Sequence, residues 1–265
     1  YKRISVESIE RICKNAFNLA GLENKGYTVH SLRHTCATLL YLYSKADIIG
    51  NVNYLYRDGA PDKMGNMTGA YRGSSLSVMN MVTGYFVNEY EGQEVDCSYA
   101  RQLTRQDFTQ SCCNYLTNDT WKSCYKSINV ANAVIKYVDG VEMDNQAQYK
   151  AEARFFRALN YFYLVKMFGD VPMVTEPTED ATLVEYPTRT AASEVFNTVI
   201  IPDLQFAVEN LPNATFAGNS HRVTKYAADM LLADVYMRLG EYANAVTPLK
   251  DVINSGKFAL ATNDN

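Results

Sequence analysis

Two histidines four positions apart, His30 and His34, are the first residues whose spacing carries chemistry. On a helix that spacing sets both imidazoles on one face, where they could share a zinc ion. The set is incomplete, however. No Glu follows His30 in the H-E-x-x-H manner, the remaining histidine, His221, is remote, and no third ligand is evident. Neither a metal nor a cofactor is therefore expected. Glu89, Glu91 and Glu94 could be mistaken for a glycosidase pair. Glycoside hydrolysis needs two carboxylates opposed across the scissile bond, and three glutamates along one stretch make a solvated acidic loop instead. Asn88, Glu89, Tyr90, Gln93, Tyr99 and Arg101 are more instructive. They combine flat rings, which stack on the C–H face of a sugar, with amides, carboxylates and a guanidinium that bond hydroxyls. Ordered loops concentrate binding groups, although plain solvent exposure would explain the same residue types.

A second charged group, Glu152, Arg154 and Arg157, lies within a stretch dense in aromatic residues. A charged ligand site needs a pocket, and this stretch is mostly packing rings, so Glu152 and Arg154 are expected to tie helices together. The six cysteines (Cys13, Cys36, Cys97, Cys112, Cys113 and Cys124) show no CxxC spacing and are sparse for 265 residues. Buried or incidental thiols fit them better than a disulfide framework.

The elements that must position these groups follow from periodicity. Residues 5–21 form a capped helix with Ile9, Ile12, Ala16, Leu19 and Ala20 on one face and Gly21 at its end. Residues 54–69, rich in Gly, Asn and Asp, predict a loop. Residues 77–90 give a short helix with Val78, Met81, Val82 and Phe86 inward, and residues 91–100 a second loop. From Trp121 onward the helical signal is strong: 121–135, 149–165, about 193–210, 227–239, and about 242–253 ending at Ser255-Gly256. Pro172 closes the second of these, and the span from Val171 to Pro187 must be an extended surface loop. Residues 227–245 look like a tetratricopeptide hairpin, with small Ala residues at the contact, Gly240 in the turn, and Tyr236 and Tyr242 wedging the pair. The 149–165 and 193–210 helices form a second such pair.

Two family resemblances divide the chain. The run Gly26-Tyr-Thr-Val-His30-Ser-Leu-Arg33-His34-Thr-Cys-Ala-Thr-Leu-Leu40 closely resembles the His-x-x-Arg segment of tyrosine recombinases, the phage-integrase family. The resemblance implies that His30 and Arg33 match the residues that contact the scissile phosphate. It is brief, covering residues 1–48, and no Tyr nucleophile can be assigned after Ile48. Without one no covalent DNA intermediate forms, so this segment is expected to be catalytically dead. The phrase Ala151-Glu-Ala-Arg-Phe-Phe-Arg-Ala-Leu-Asn-Tyr-Phe-Tyr-Leu-Val-Lys-Met-Phe-Gly-Asp-Val-Pro172 is similar to the signature of the SusD/RagB family. Pro187-Thr-Arg-Thr190, Pro202-Asp-Leu204, Leu211-Pro212 and Arg222-Val-Thr-Lys225 continue that pattern in order.

The resemblance assigns residues 49–265 to a truncated SusD-like region with tetratricopeptide-type helix pairs and long ordered loops, an all-α fold. It implies a noncatalytic glycan-binding protein at the outer membrane, a lipoprotein that passes oligosaccharides to a SusC-like TonB-dependent transporter. The ligand loop would carry the 88–101 residues. DNA is a partner only if residues 1–48 function, and a tetratricopeptide-type protein-interaction scaffold is the other alternative.

Bulk properties fit this division. Residues 1–48 hold seven Lys/Arg against four Asp/Glu, leaving 18 against 25 in the remainder of a chain whose formal charge is −4. That balance argues against a protein built mainly for nucleic acid, and its asymmetry marks two histories in one chain. No apolar run reaches the roughly 18 residues of a membrane-spanning helix. With no initiator Met, signal peptide or lipobox, the chain reads as a fragment or one whose natural start has been replaced. A cytoplasmic DNA enzyme and an exported lipoprotein need different compartments, so an accidental join at 47–53 is the expected origin. Residues 1–48 are then expected to pack poorly on a single helical core spanning 121–255.

Overall fold

The computed structural model describes residues 43–58, 106, 110–178 and 187–260. The chain divides into two units, Tyr1–Ser44 and Lys45–Asn265, and every described helix and strand belongs to the second. These elements are helices with one minimal strand pair. They are α1 (Lys45–Asp58), α2 (Gln110–Tyr137), α3 (Gln146–Phe168), β1 (Val171–Pro172), β2 (Arg189–Thr190), α4 (Ala192–Val195), α5 (Ile201–Asn210), α6 (Lys225–Arg238) and α7 (Tyr242–Asn254). The all-α reading holds, since β1 and β2 contribute only the antiparallel pairs Val171↔Thr190 and Pro172↔Arg189.

Helix α3 is the axis of the fold. Alanines at 151, 153 and 158 let neighbouring backbones approach closely, while Phe155, Phe156, Tyr161, Phe162 and Leu164 fill the space between them. Helix α2 packs on one side of α3 and α5 on the other; α6 then packs on α5, and α7 on α6. The expected pairing of the 149–165 and 193–210 helices is present as the α3–α5 contact. Gly169, at φ +69°, ends α3 in a left-handed conformation that costs glycine least, and its N–H donates to the Val165 carbonyl. Between α4 and α5 the helix widens into one π-turn, Phe196–Ile200. Pro202 explains the widening, because it lacks an N–H and its ring would strike the carbonyl four residues back.

Three expectations are corrected. The loop predicted to begin at Tyr54 starts later, because Tyr54–Asp58 form the last turn of α1. The apolar residues Ile48, Val52 and Leu55, three or four apart, are fully buried against α2 and α3 and carry the helix through. The helix read from Trp121 begins at Gln110. Tyr242 does not wedge the α6–α7 pair: it is 69% exposed at the start of α7, and Ala245 and Pro248 make the buried seam. Gly240 makes the α6–α7 turn, as the sequence predicts, and does so at φ +76°.

The described thiol, Cys124, is free and buried, in keeping with the cysteine reading. The 5–21 and 77–90 helices, the 91–100 loop and the integrase-like motif lie outside the described residues. Among those described, no helix is long and apolar enough to cross a membrane.

Candidate functional site

The residues predicted to meet ligand (Asn88, Glu89, Tyr90, Gln93, Tyr99 and Arg101), and the vestigial pair His30 and Arg33, lie outside the described residues. What the structure gives is the helical scaffold of the described residues, and the polar groups that tie it together. Among the described residues no cluster of His, Cys, Asp and Glu is arranged to hold a metal ion.

The first polar cluster joins α1 and α3 to the turn that precedes α6. Arg222 donates from Nε to Glu152 Oε1 at 3.0 Å and from Nη2 to Oε2, while Gln148 donates to the same Oε1 at 3.0 Å. Glu152 has no exposed surface at all. A carboxylate so placed must be paired, because desolvating a lone charge costs several kcal/mol. Helix α1 completes the cluster. Asn53 Oδ1 accepts from Arg222 Nη1 at 3.1 Å, and Tyr56 Oη accepts from the Val223 amide at 2.9 Å. The guanidinium lies over the Tyr56 ring, 4.7 Å from its centroid, with Tyr149 on another side at 5.5 Å. Burial, and then the adjacent Glu152 charge, push the Tyr56 phenol far above its ordinary range. For Arg222, burial works against the cation, but the Glu152 carboxylate outweighs it and keeps it charged.

The second cluster lies between α2, α3 and α5. Arg157 grips Asp203 with two bonds, Nε to Oδ2 at 2.6 Å and Nη2 to Oδ1 at 2.9 Å, and gives Nη1 to Asn132 Oδ1 at 2.9 Å. Arg154 approaches the same carboxylate at 3.7 Å while stacking on Phe206. Arg154 ties α3 to α5 through Asp203 as expected, whereas Glu152 ties α3 to the turn before α6 through Arg222, each a partner the sequence alone did not identify. Arg222, Asp203 and Asn132 were missed as structural anchors. One signal was available: charges embedded in an aromatic, helix-buried stretch require opposite charges elsewhere.

Above these clusters the extended run 171–178 is hung on side chains. Tyr125 donates to the Pro172 carbonyl at 2.7 Å, and Asn132 Nδ2 to Val174 O at 3.0 Å and Glu176 O at 3.3 Å. Asn129 Oδ1 accepts from the Thr178 amide at 2.7 Å. Tyr161 both donates to the Val174 carbonyl and accepts from its amide, at 2.8 and 2.7 Å. Residues 171–178 are the first part of the extended segment the prolines predict, with backbone groups of residues 172, 174, 176 and 178 satisfied by α2 and α3, while 179–186 lie outside the described residues. At its root Trp121 sits 5.0 Å from Tyr125 and 5.1 Å from Phe168, the latter edge to face. Asp170 caps α4 by accepting from the Ala192 amide at 2.9 Å.

The α6–α7 hairpin shows a different surface. Met230 and Met237 on α6, with Tyr242, Val246 and Ile253 on α7, are exposed, Ile253 to 73%. They recur at four- and seven-residue steps, so each helix carries an apolar stripe beyond the one it buries in the pair. Such stripes belong to interfaces more often than to ligand pockets.

Comparison with known proteins bears on all of this. Residues 62–237 match a SusD-like family model described as starch-binding and associating with the outer membrane. A SusD-like protein, P2, of Formosa agariphila is 32% identical over 157 residues, covering 58% of this chain and 30% of its own length. A tyrosine recombinase, XerC, of Caldanaerobacter subterraneus is 49% identical over 47 residues, 18% of this chain and 13% of its own, which fits the integrase-like reading of the first segment. Among solved structures, a SusD superfamily protein of Parabacteroides distasonis superposes with a TM-score of 0.67 at 25% identity, over 82% of this chain and 46% of its own. A laminarin-binding SusD-like protein gives a TM-score of 0.64 at 25% identity, over 79% and 43%. The chain thus spans less than half the length of these SusD-like relatives.

Proposed function

Since the chain belongs to the SusD-like family, we propose that it binds oligosaccharides without acting on them and serves their uptake at the outer membrane. The match of residues 62–237 to a starch-binding, outer-membrane-associated family carries the reading. Support comes from the fold shared with a laminarin-binding protein, and from a scaffold whose buried carboxylates Asp203 and Glu152 are each paired with an arginine. Glu152 and Asp203 are locked to guanidinium groups, so neither is available as a general acid or base.

The ligand loop is the 88–101 stretch. Tyr90 and Tyr99 stack on the sugar ring, while Asn88, Glu89, Gln93 and Arg101 bond its hydroxyls. Delivery is to a SusC-like TonB-dependent transporter, and the helix-pair layer ending in α6–α7 is the surface assigned to that partner. Outer-membrane placement is part of the same proposal.

Titration calorimetry of the full chain with starch-derived and laminarin-derived oligosaccharides tests the binding. The expected result is saturable heat with both tyrosines needed: Tyr90→Ala and Tyr99→Ala each weaken binding by about 2–10-fold, the worth of one ring contact. A chain that takes up neither glycan sinks the proposal.

A further inference from the structure

The turn between α5 and α6 closes on its own backbone, the His221 amide donating to Phe216 O and the Arg222 amide to Asn219 O, both at 2.9 Å, and presents two different sides. Its inner side is pinned. The Lys225 amide donates to Pro212 O at 3.1 Å, Lys257 Nζ reaches Asn213 O at 2.6 Å, and Asn219 Nδ2 donates to Val223 O at 2.9 Å. Arg222 then plunges into the Glu152 cluster. Its outer side carries an apolar ring, Phe216, that is 55% exposed and adds little to the core. Beside it stands His221, exposed, with its ring edge to face with Phe216 at 5.2 Å and 83°.

The backbone makes this pair costly. Ser220 and His221 are consecutive left-handed residues, at φ +51° and +61°. Side chains with a Cβ resist that conformation, and glycine would adopt it at lower cost. At position 221 the chain places an imidazole in a conformation that favours glycine, next to an aromatic ring left in water. A single exposed phenylalanine needs no explanation. An exposed ring braced by a second ring on strained backbone does, because such strain collects where a side chain must be held for binding.

We propose that residues 213–223 form a second contact for oligosaccharide, made by residues other than those of the 88–101 stretch. Phe216 stacks on the C–H face of a pyranose ring, and the His221 ring nitrogens bond its hydroxyls. The chemistry is that of sugar recognition: a flat apolar surface with a donor and acceptor at its edge, on a turn already rigid before ligand arrives. This inference rests on the glycan-binding reading.

The test uses the full chain, with starch-derived and laminarin-derived oligosaccharides as probes. Three histidines give few ring signals in a heteronuclear NMR spectrum, and those of His221 are identified by their loss in His221→Gly. The His221 signals are expected to move on titration with a bound probe. Phe216→Ala is expected to weaken that response about 2–10-fold. His221→Gly is expected to melt at the same temperature as the parent or higher, since it relieves the left-handed strain, while binding less glycan. A parent that binds glycan with unmoved His221 signals and unaffected variants overturns this site and leaves the glycan reading standing. A lower melting temperature in His221→Gly also overturns it, because the imidazole would then serve folding. A parent that binds neither probe ends the glycan reading and this contact with it.

Discussion

Glu152 is a carboxylate with no water to turn to, so its fate depends on Arg222, which lies 70 positions away in sequence. Removing the arginine leaves the charge buried and unpaired, the costly way to break an ion pair. Arg222→Ala is expected to cost about 3–5 kcal/mol in urea unfolding of the full chain. Glu152→Gln, which leaves a neutral acceptor, is expected to cost less. Two further side chains make stability depend on alkaline pH. Burial pushes the Cys124 thiol up from 9.0 to about 12, and burial likewise pushes the Tyr161 phenol up from 10.0 to about 12. A group raised in the folded state is protonated there while the unfolded chain already ionises. Its contribution is therefore complete below about pH 9 for the thiol and pH 10 for the phenol, and is lost as pH rises toward 12. Melting temperature should hold below pH 9 and fall above it, and Tyr161→Phe should flatten part of that fall. In the native state Cys124 should resist alkylation at pH 8 and react only on unfolding, since the thiolate is the nucleophile.

At the scale of elements, the 171–178 run has almost no structure of its own beyond the β1–β2 pairs. Its order comes from Asn132, Asn129, Tyr125 and Tyr161. Asn132 is the pivot, because its amide nitrogen holds the run while its oxygen accepts from Arg157. Asn132→Leu keeps much of the volume but strands both sets of partners. It is expected to cost about 1–3 kcal/mol and to raise amide exchange at residues 174–178 well beyond that of α3. Exchange rising equally in α3 would mean that the asparagine supports the core rather than the run. At the other end of the fold, Lys225 bridges Asp229 on α6 and Asp251 on α7 at 2.9 and 2.8 Å. Those bonds outweigh the burial that disfavours its charge and raise its affinity for the proton.

At the scale of the whole molecule, the boundary between the two units falls at the start of α1. The sequence places the division at residues 48 and 49, inside this helix, whereas the compact unit begins at Lys45. Ile48, Val52 and Leu55 are fully buried, each worth about 1.5–3 kcal/mol. Asn53 and Tyr56 close the Arg222 cluster. We propose that the SusD-like module starts at α1. A chain beginning at Lys45 should unfold in one cooperative transition with its glycan affinity intact. Deleting α1 as well should broaden that transition or abolish it, as followed by circular dichroism. Equal melts for both truncations would put the start of the module after α1.

The helical class, the order of helices from 121 onward, the proline-marked surface run and the Gly240 turn were legible in the sequence. Each depends on local periodicity, or on the backbone limits of Gly and Pro, which a linear text carries. The SusD-like phrase around residues 151–172 was legible for a related reason: a helix that packs on both sides admits few residue types, so its composition is distinctive. Whether Tyr54–Asp58 are loop or helix, and where Tyr242 points, depended on contacts with distant segments. So did the partners of Glu152 and Arg157. Buried charge advertises that it needs a counter-charge, but which of 25 Lys and Arg or 29 Asp and Glu supplies it is settled only when helices distant in sequence are packed side by side. The Phe216–His221 pair belongs to the same category, since nothing in the spelling of that turn reveals a left-handed histidine braced against an exposed ring.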